Sequence, residues 1–378
     1  MEAKAAVLRS AVRALPAAMQ AYLRQLAAAL PAAFREHAAL LVLVLAYWAS
    51  ALVVGEITGR PRTATITMYL APYRLMVPVV ILVLLIGRAL TILILERPAR
   101  PLTQFLAELR YSLASPDRIA NAIPVLMCLL VFGGTFTVLK TSFPLLFPFG
   151  WDVPLEHVDR WLHGGIAPWQ LLQPIVGMPV ITAALNRAYN YWFLVLSFIL
   201  IWQTFSQRDP QLRLQFFFTL VLGWILLGTI AAALLFSAGP CFFGRATGLP
   251  DPFTPLMDYL RQANQVYPVW AITTQDGLWQ RYLANDASLG AGISAMPSMH
   301  VALATLFALV CWGTKRWIGI VMSIYVLVIL VGSVHLAWHY AVDGYASIAG
   351  MILIWWVVGR ALARKNAAQR GAAVSETA

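Results

Sequence analysis

The sequence predicts an all-α fold, a polytopic membrane helix bundle of about eight spans. Three observations predict it. The 378 residues are 60% hydrophobic and only 11% charged. The apolar residues are gathered into blocks that reach the roughly 20 residues needed to cross a bilayer. Basic residues sit at the ends of those blocks, where they set topology and meet lipid phosphates. A soluble fold would leave several near-continuous apolar runs without a core to bury them.

Taken in order, Leu8, Val12, Leu15, Met19, Leu23, Leu26 and Leu30 recur at helical spacing with Arg9, Arg13 and Arg24 between them. Residues 1–37 therefore read as a basic amphipathic segment, broken at Pro16 and Pro31, that lies on an anionic membrane surface; a poorly ordered Ala-rich leader is the alternative. No cleavable signal peptide is expected, since these residues lack a compact apolar core, and the first span serves as the insertion signal. The expected spans are 38–55, 72–95, 120–140, 187–205, 214–238, 298–313, 318–334 and 343–360. Residues 38–119 are two additional spans with a cytoplasmic linker, 120–360 a six-span core, and 361–378 a cytoplasmic tail.

With the N-terminus inside, most of the 27 basic residues fall on the cytoplasmic side, among them Arg97, Arg100, Arg208, Arg213, Lys315, Arg316, Arg364 and Lys365. This bias expects both termini in the cytoplasm and the active face on the other side, as for a bacterial inner membrane protein with its site toward the periplasm. The net charge of +11 is scattered at span ends, which argues against a nucleic-acid partner. Cys128, Cys241 and Cys311 have no metal-type spacing and make no disulfide framework, and no cofactor is expected. Two outer segments are long. Residues 141–186 hold Trp151, Asp152, His157, Asp159, Trp161 and His163, a mixture suited to a headgroup-level helix and loop. Residues 239–297 are too long for a simple connection and read as a lid or binding loop.

Two stretches carry the chemistry. Ser294 to His300 opens the sixth span, and Gly332 to Asp343 joins the seventh to the eighth. Imidazoles and a carboxylate beside apolar spans are costly and mark a functional site. The topology brings both stretches to one membrane face. Asp343 follows His339 by four residues, so on a helix its carboxylate would accept the Nδ1 proton and leave Nε2 free as a nucleophile. His300 would lie in the first turn of a helix opened by Pro297 and Ser298, where free N–H groups favour a phosphate and a protonated imidazole can act as general acid. Ser298 is a helix cap or a phosphate donor. Asn186, Arg187, Tyr189, Asn190, Tyr191 and Trp192 either contact a headgroup or form an interfacial belt.

Pro297-Ser298-Met299-His300 and His339-Tyr340-Ala341-Val342-Asp343 resemble the second and third signatures of the type 2 phosphatidic acid phosphatase superfamily, whose fold is shared with vanadium haloperoxidases. The resemblance spans roughly residues 120–360. It implies a phosphatidic-acid-phosphatase-like six-helix core, a phosphohistidine at His339, an orienting Asp343 and a general acid at His300. Ser333 stands where the third signature usually carries arginine, and the first signature is not intact. Together with Gly239-Pro240-Cys241-Phe242-Phe243-Gly244 and Asp159-Arg160-Trp161-Leu162-His163, this resembles the inositol-phosphotransferase branch related to inositol-phosphorylceramide synthase. Arg245 and Lys140 are the candidate phosphate contacts in place of the missing arginine, and His335 either tunes His339 or contacts substrate.

The expected activity is metal-independent phosphoryl transfer from a phospholipid, polyprenyl or sphingolipid-type phosphate, to water as a lipid phosphatase or to a lipid hydroxyl as a headgroup transferase. Two other classes compete. His335, His339, Asp343 and His300 could hold zinc for a lipid amidohydrolase, or the polar cluster could bind a phosphate headgroup in a non-catalytic transporter.

Overall fold

A computed structural model describes residues 16–60, 69–110 and 114–376, and every regular element among them is a helix. The start of the amphipathic pattern, Leu8 to Leu15, lies outside the described residues. Helix α1 spans Ala17–Glu36 and α2 Ala38–Thr58. Helix α3 spans Leu70–Leu90 and runs on through a π turn at Thr91–Glu96, and α4 is the short Pro101–Glu108. Pro16 precedes α1, but Pro31 does not break it. The cost of that proline is one missing N–H and a local clash, which the tertiary packing of α1 against the next long helix overrides.

That long helix, α5, spans Pro116–Leu146. After it follow α6 (Asp152–Leu162), α7 (Pro168–Val176) and α8 (Pro179–Asn190), and α8 passes into α9 (Trp192–Phe205) at Tyr191. Helix α10 spans Pro210–Ile225 and continues through a π turn at Leu226–Ala231 to Leu234. The long segment 239–297 folds into α11 (Phe243–Thr247), α12 (Thr254–Val266) and α13 (Trp270–Leu283). Helices α14 (Met299–Trp312), α15 (Arg316–His335) and α16 (Ala341–Glu376) complete the bundle.

Seven of these stretches are long and apolar enough to span a membrane: Ala38–Thr58, Arg74–Glu96, Pro116–Leu146, Pro179–Phe205, Pro210–Leu234, Arg316–His335 and Ala341–Ala368. The protein is an integral membrane helix bundle. The expected span at 298–313 is the shorter α14, whose 14 residues rise about 21 Å at 1.5 Å each. It is the centre of the bundle. Val301 through Phe307 are at most 5% exposed, and α9, α10, α15 and α16 all pack on it. A helix whose middle is enclosed by others need not match the bilayer thickness, because its neighbours and not lipid cover most of its length.

Long-range hydrogen bonds sort the helix ends onto two faces. At one, Thr58 Oγ1 meets Ser142 Oγ and Arg60 Nη2 donates to the Thr141 carbonyl. At the other, Tyr22 reaches the Ala114 carbonyl, Arg118 reaches Gln207, and Asn366 reaches Gln211. The second face carries Arg118, Arg208, Lys315 and Arg316, the basic ends that the sequence places inside.

Candidate active site

His339 is held by a loop anchored through backbone, carboxylate and amide contacts. Helix α15 ends at His335, because Ala337 takes a left-handed conformation (φ 59°) that a helix cannot continue through. The Ser333 carbonyl then accepts from Trp338 N at 2.9 Å and His339 N at 3.1 Å. From the other side, Cys241 N donates to the Ala337 carbonyl at 2.9 Å and Gln275 Nε2 to the Leu336 carbonyl at 2.8 Å. Gly239 (φ 100°) lies so close that a Cβ there would stand 2.7 Å from the Trp338 carbonyl oxygen, so only glycine fits. His339 thus sits in a turn before α16, not on the helix that its spacing to Asp343 suggested. The pair forms nonetheless: His339 Nδ1 lies 3.2 Å from Asp343 Oδ2, and Tyr340 N donates to the same oxygen at 3.1 Å.

Helix α6 supplies the frame. Its buried face is Asp152, Leu155, Glu156 and Asp159, a helical i, i+3, i+4, i+7 set in which three of four members are acidic. Asp159 accepts from Ala341 N at 2.8 Å and Val342 N at 2.9 Å, and so caps the N-terminus of α16. Asp152 accepts from Ala238 N and Gly239 N, each at 2.8 Å, and from the Tyr340 hydroxyl at 2.9 Å. Burial pushes both carboxyls above their usual range, and these donors offset only part of that rise. Burial and the Asp152 carboxylate also hold the Tyr340 hydroxyl protonated, as a donor must be. Asp159→Ala would leave two backbone N–H groups of α16 without their acceptors. The expected loss is about 2 kcal/mol, read as a lower melting temperature in detergent, with Asp159→Asn losing less because one acceptor oxygen remains.

His300 lies in the first turn of α14, as its Pro-Ser opening predicts. Its ring stacks on Tyr189 (centroids 4.4 Å apart) and is flanked by Trp192 at 4.4 Å and Phe193 edge-on at 6.0 Å, while Trp192 Nε1 donates to the His300 carbonyl at 3.0 Å. His300, His339 and Lys140 line one cavity of about 310 Å3, closed on one side by Gly290 to Ser294 from the long outer segment. Lys140 makes no ion pair among the described residues.

The other candidates lie elsewhere. Arg245 lines a second, smaller cavity of about 90 Å3 with Asp251, Arg261 and Asp276; its guanidinium is 3.3 Å from Asp276 and 5.8 Å from the Trp279 ring. It therefore does not join Lys140 beside the histidines. His335 is fully buried, with Nε2 at 2.9 Å from Thr182 Oγ1, and does not line the cavity. Ser298 occupies the N-cap position of α14, but its hydroxyl makes no cap bond and, fully buried, meets no partner among the described residues. Ser333 is buried with Oγ donating to the Leu330 carbonyl at 2.7 Å, so it offers no substitute for an arginine. Among the described residues no three His, Cys, Asp or Glu side chains gather as a ligand set, and His335 Nε2 is engaged with Thr182 Oγ1. Burial keeps the Cys241 thiol far above its usual range, hence protonated and unreactive.

Fold and site together define an integral membrane protein with two histidines and a lysine in a cavity at one membrane face. Residues 154–357, more than half of the chain, match the family model of the PAP2 superfamily, and the chain belongs to that superfamily. No curated protein and no solved structure matches it. Membership and the membrane helices fit an enzyme of the phosphatase and phosphotransferase kind.

Proposed function

We propose that the protein transfers phosphoryl groups from a phosphorylated lipid through a covalent phosphohistidine at His339, on the non-cytoplasmic face of the membrane. The observation that carries this is the pairing of His339 Nδ1 with the Asp343 carboxylate beside a cavity shared with His300 and Lys140. With Nδ1–H committed to Asp343, the lone pair is on Nε2. Nε2 attacks phosphorus, the N–P bond forms as the P–O bond to the leaving group breaks, and His300 gives its proton to the departing oxygen. Water or a lipid hydroxyl then attacks the phosphohistidine, His300 takes the incoming proton, and His339 is restored.

Lys140 meets the phosphate charge, the role that Ser333 cannot fill. This departure from the arginine pattern supports the inositol-phosphotransferase-like branch and a lipid hydroxyl as acceptor. In this reading the reaction needs no metal. The basic residues at the opposite helix ends support a cavity that faces outward, toward the periplasm of a bacterial cell.

Lys140→Ala is expected to raise KM for the lipid phosphate about ten-fold with a smaller change in kcat, and Lys140→Arg to recover most of it, since a point charge is what is lost. The reading itself is tested by incubating purified protein with lipids labelled in the phosphate and quenching in base. Acid-labile label on the protein, suppressed by vanadate and indifferent to chelators, is the expected result. No label from phosphatidic acid, polyprenyl phosphate or a sphingolipid phosphate, with chelator-sensitive turnover, would overturn it.

A further inference from the structure

Away from the histidines the cavity changes character. Its inner part is walled by Tyr69, Phe136, Phe193, Trp224, Gly228 and Met299, without a charged side chain. Trp224 precedes the outer end of its helical run, Leu234, by a rise of about 15 Å, so this lobe reaches deep into the bundle. A phosphate there would lose its hydration for nothing, whereas hydrocarbon would lose none.

The lobe also reaches the lipid. Phe193 is 61% exposed on the membrane-facing side of α9, yet it lines the cavity and packs edge-on to His300. One turn further along α9, the Ser197 hydroxyl contacts Met76 Sδ at 2.9 Å and closes α9 against α3.

Its floor is a glycine in a π turn. A Cβ on Gly228 would stand 3.1 Å from Met299 Sδ, 3.2 Å from the Trp224 ring and 3.3 Å from the Phe136 ring. The turn is pinned by Thr229, whose hydroxyl donates to the Trp224 carbonyl and lies 2.7 Å from the Tyr47 hydroxyl. Tyr47 belongs to α2. Tyr69, just before α3, lines the lobe with its hydroxyl 3.1 Å from Thr137 Oγ1. Both tyrosines precede the segment that matches the superfamily.

We infer that this lobe is the hydrocarbon-tail site of the lipid phosphate, entered past Phe193 between α9 and α3, with its depth set at Gly228 and its walls completed by the N-terminal helices. The inference rests on the phosphoryl-transfer reading for the headgroup end only. The test uses a phosphatidic acid with a photoreactive diazirine in mid-chain, and, separately, dioleoyl and dihexanoyl phosphatidic acid as labelled donors.

Crosslinks are expected at Phe136, Trp224 or Met299, in the wild type and equally in His339→Ala, which binds without chemistry. Gly228→Leu should reduce them and lower the ratio of dioleoyl to dihexanoyl labelling about ten-fold, the value of roughly two methylenes kept out. Ala232→Leu, lining the same cavity one turn on, provides a second obstruction should Gly228→Leu misfold. Crosslinks confined to the lipid-facing Leu194 and Ile230, or a chain-length ratio unchanged in the folded variant, would overturn the inference. Crosslinks in the lobe with no phosphorus on the wild-type protein would leave the tail site standing and remove the phosphoryl-transfer reading instead.

Discussion

His339→Ala is expected to abolish phosphoryl transfer, with single-turnover rates down by about 10^4-fold or more and no labelled protein, because the covalent step has no other nucleophile. The loop should survive the change. Its anchors are the Ser333 carbonyl, the Asp159 and Asp152 carboxylates and the Gly239 contact, none of which involves the imidazole. His300→Ala should instead slow the reaction by about 10^2- to 10^4-fold, the usual cost of losing a general acid. A donor with a good leaving group separates the two. Para-nitrophenyl phosphate needs little protonation on departure, so it should restore much of the rate to His300→Ala and none to His339→Ala. Equal rescue of both, or residual labelling in His339→Ala, would sink the assigned roles.

What the sequence showed plainly was whatever depends on a run or a repeat. All eight apolar runs are helices, and the helices carrying His300 and following His339 bring both imidazoles to one cavity, since an even number of crossings fixes which face each end reaches. The Asp343 partner was legible as a four-residue spacing, although the chain achieves it through a turn and not a helix. The frame behind it was not legible. Asp152 and Asp159 read as a polar headgroup-level helix because most of their partners are backbone N–H groups, 86 and 182 residues away, which carry no signature of their own. One signal was present: seven residues apart on a helix, with Leu155 between, they share the face that a soluble helix would make apolar. The surroundings of Arg245 were not legible for a related reason. Topology groups it with the histidines at the same ends of the helices, but the α11–α13 segment folds it toward Asp276 and Trp279. Face is a property of helix count, and position within a face is a property of packing.

The sharper test of the site is Asp343→Asn. The substitution keeps the volume of a fully buried side chain, and the loop keeps its anchors on Ser333, Asp159 and Asp152, so the loop and α16 should fold as before. What changes is the proton on His339. Only a carboxylate oxygen fixes Nδ1 as the protonated nitrogen and stabilises the imidazole as it develops positive charge during attack. An asparagine that turns its NH2 toward Nδ1 forces the opposite tautomer, which puts the proton on Nε2 and blocks the lone pair that must reach phosphorus. The expected result is a fall of about 10^3- to 10^4-fold in the rate of protein labelling, with KM for the lipid phosphate little changed, because in the proposed site Lys140 and not Asp343 meets the phosphate. The good leaving group that rescues His300→Ala should not rescue Asp343→Asn, since the defect precedes bond cleavage. A variant that folds normally and labels at the wild-type rate would show that Asp343 serves only to hold the start of α16, and that His339 is oriented by the loop alone.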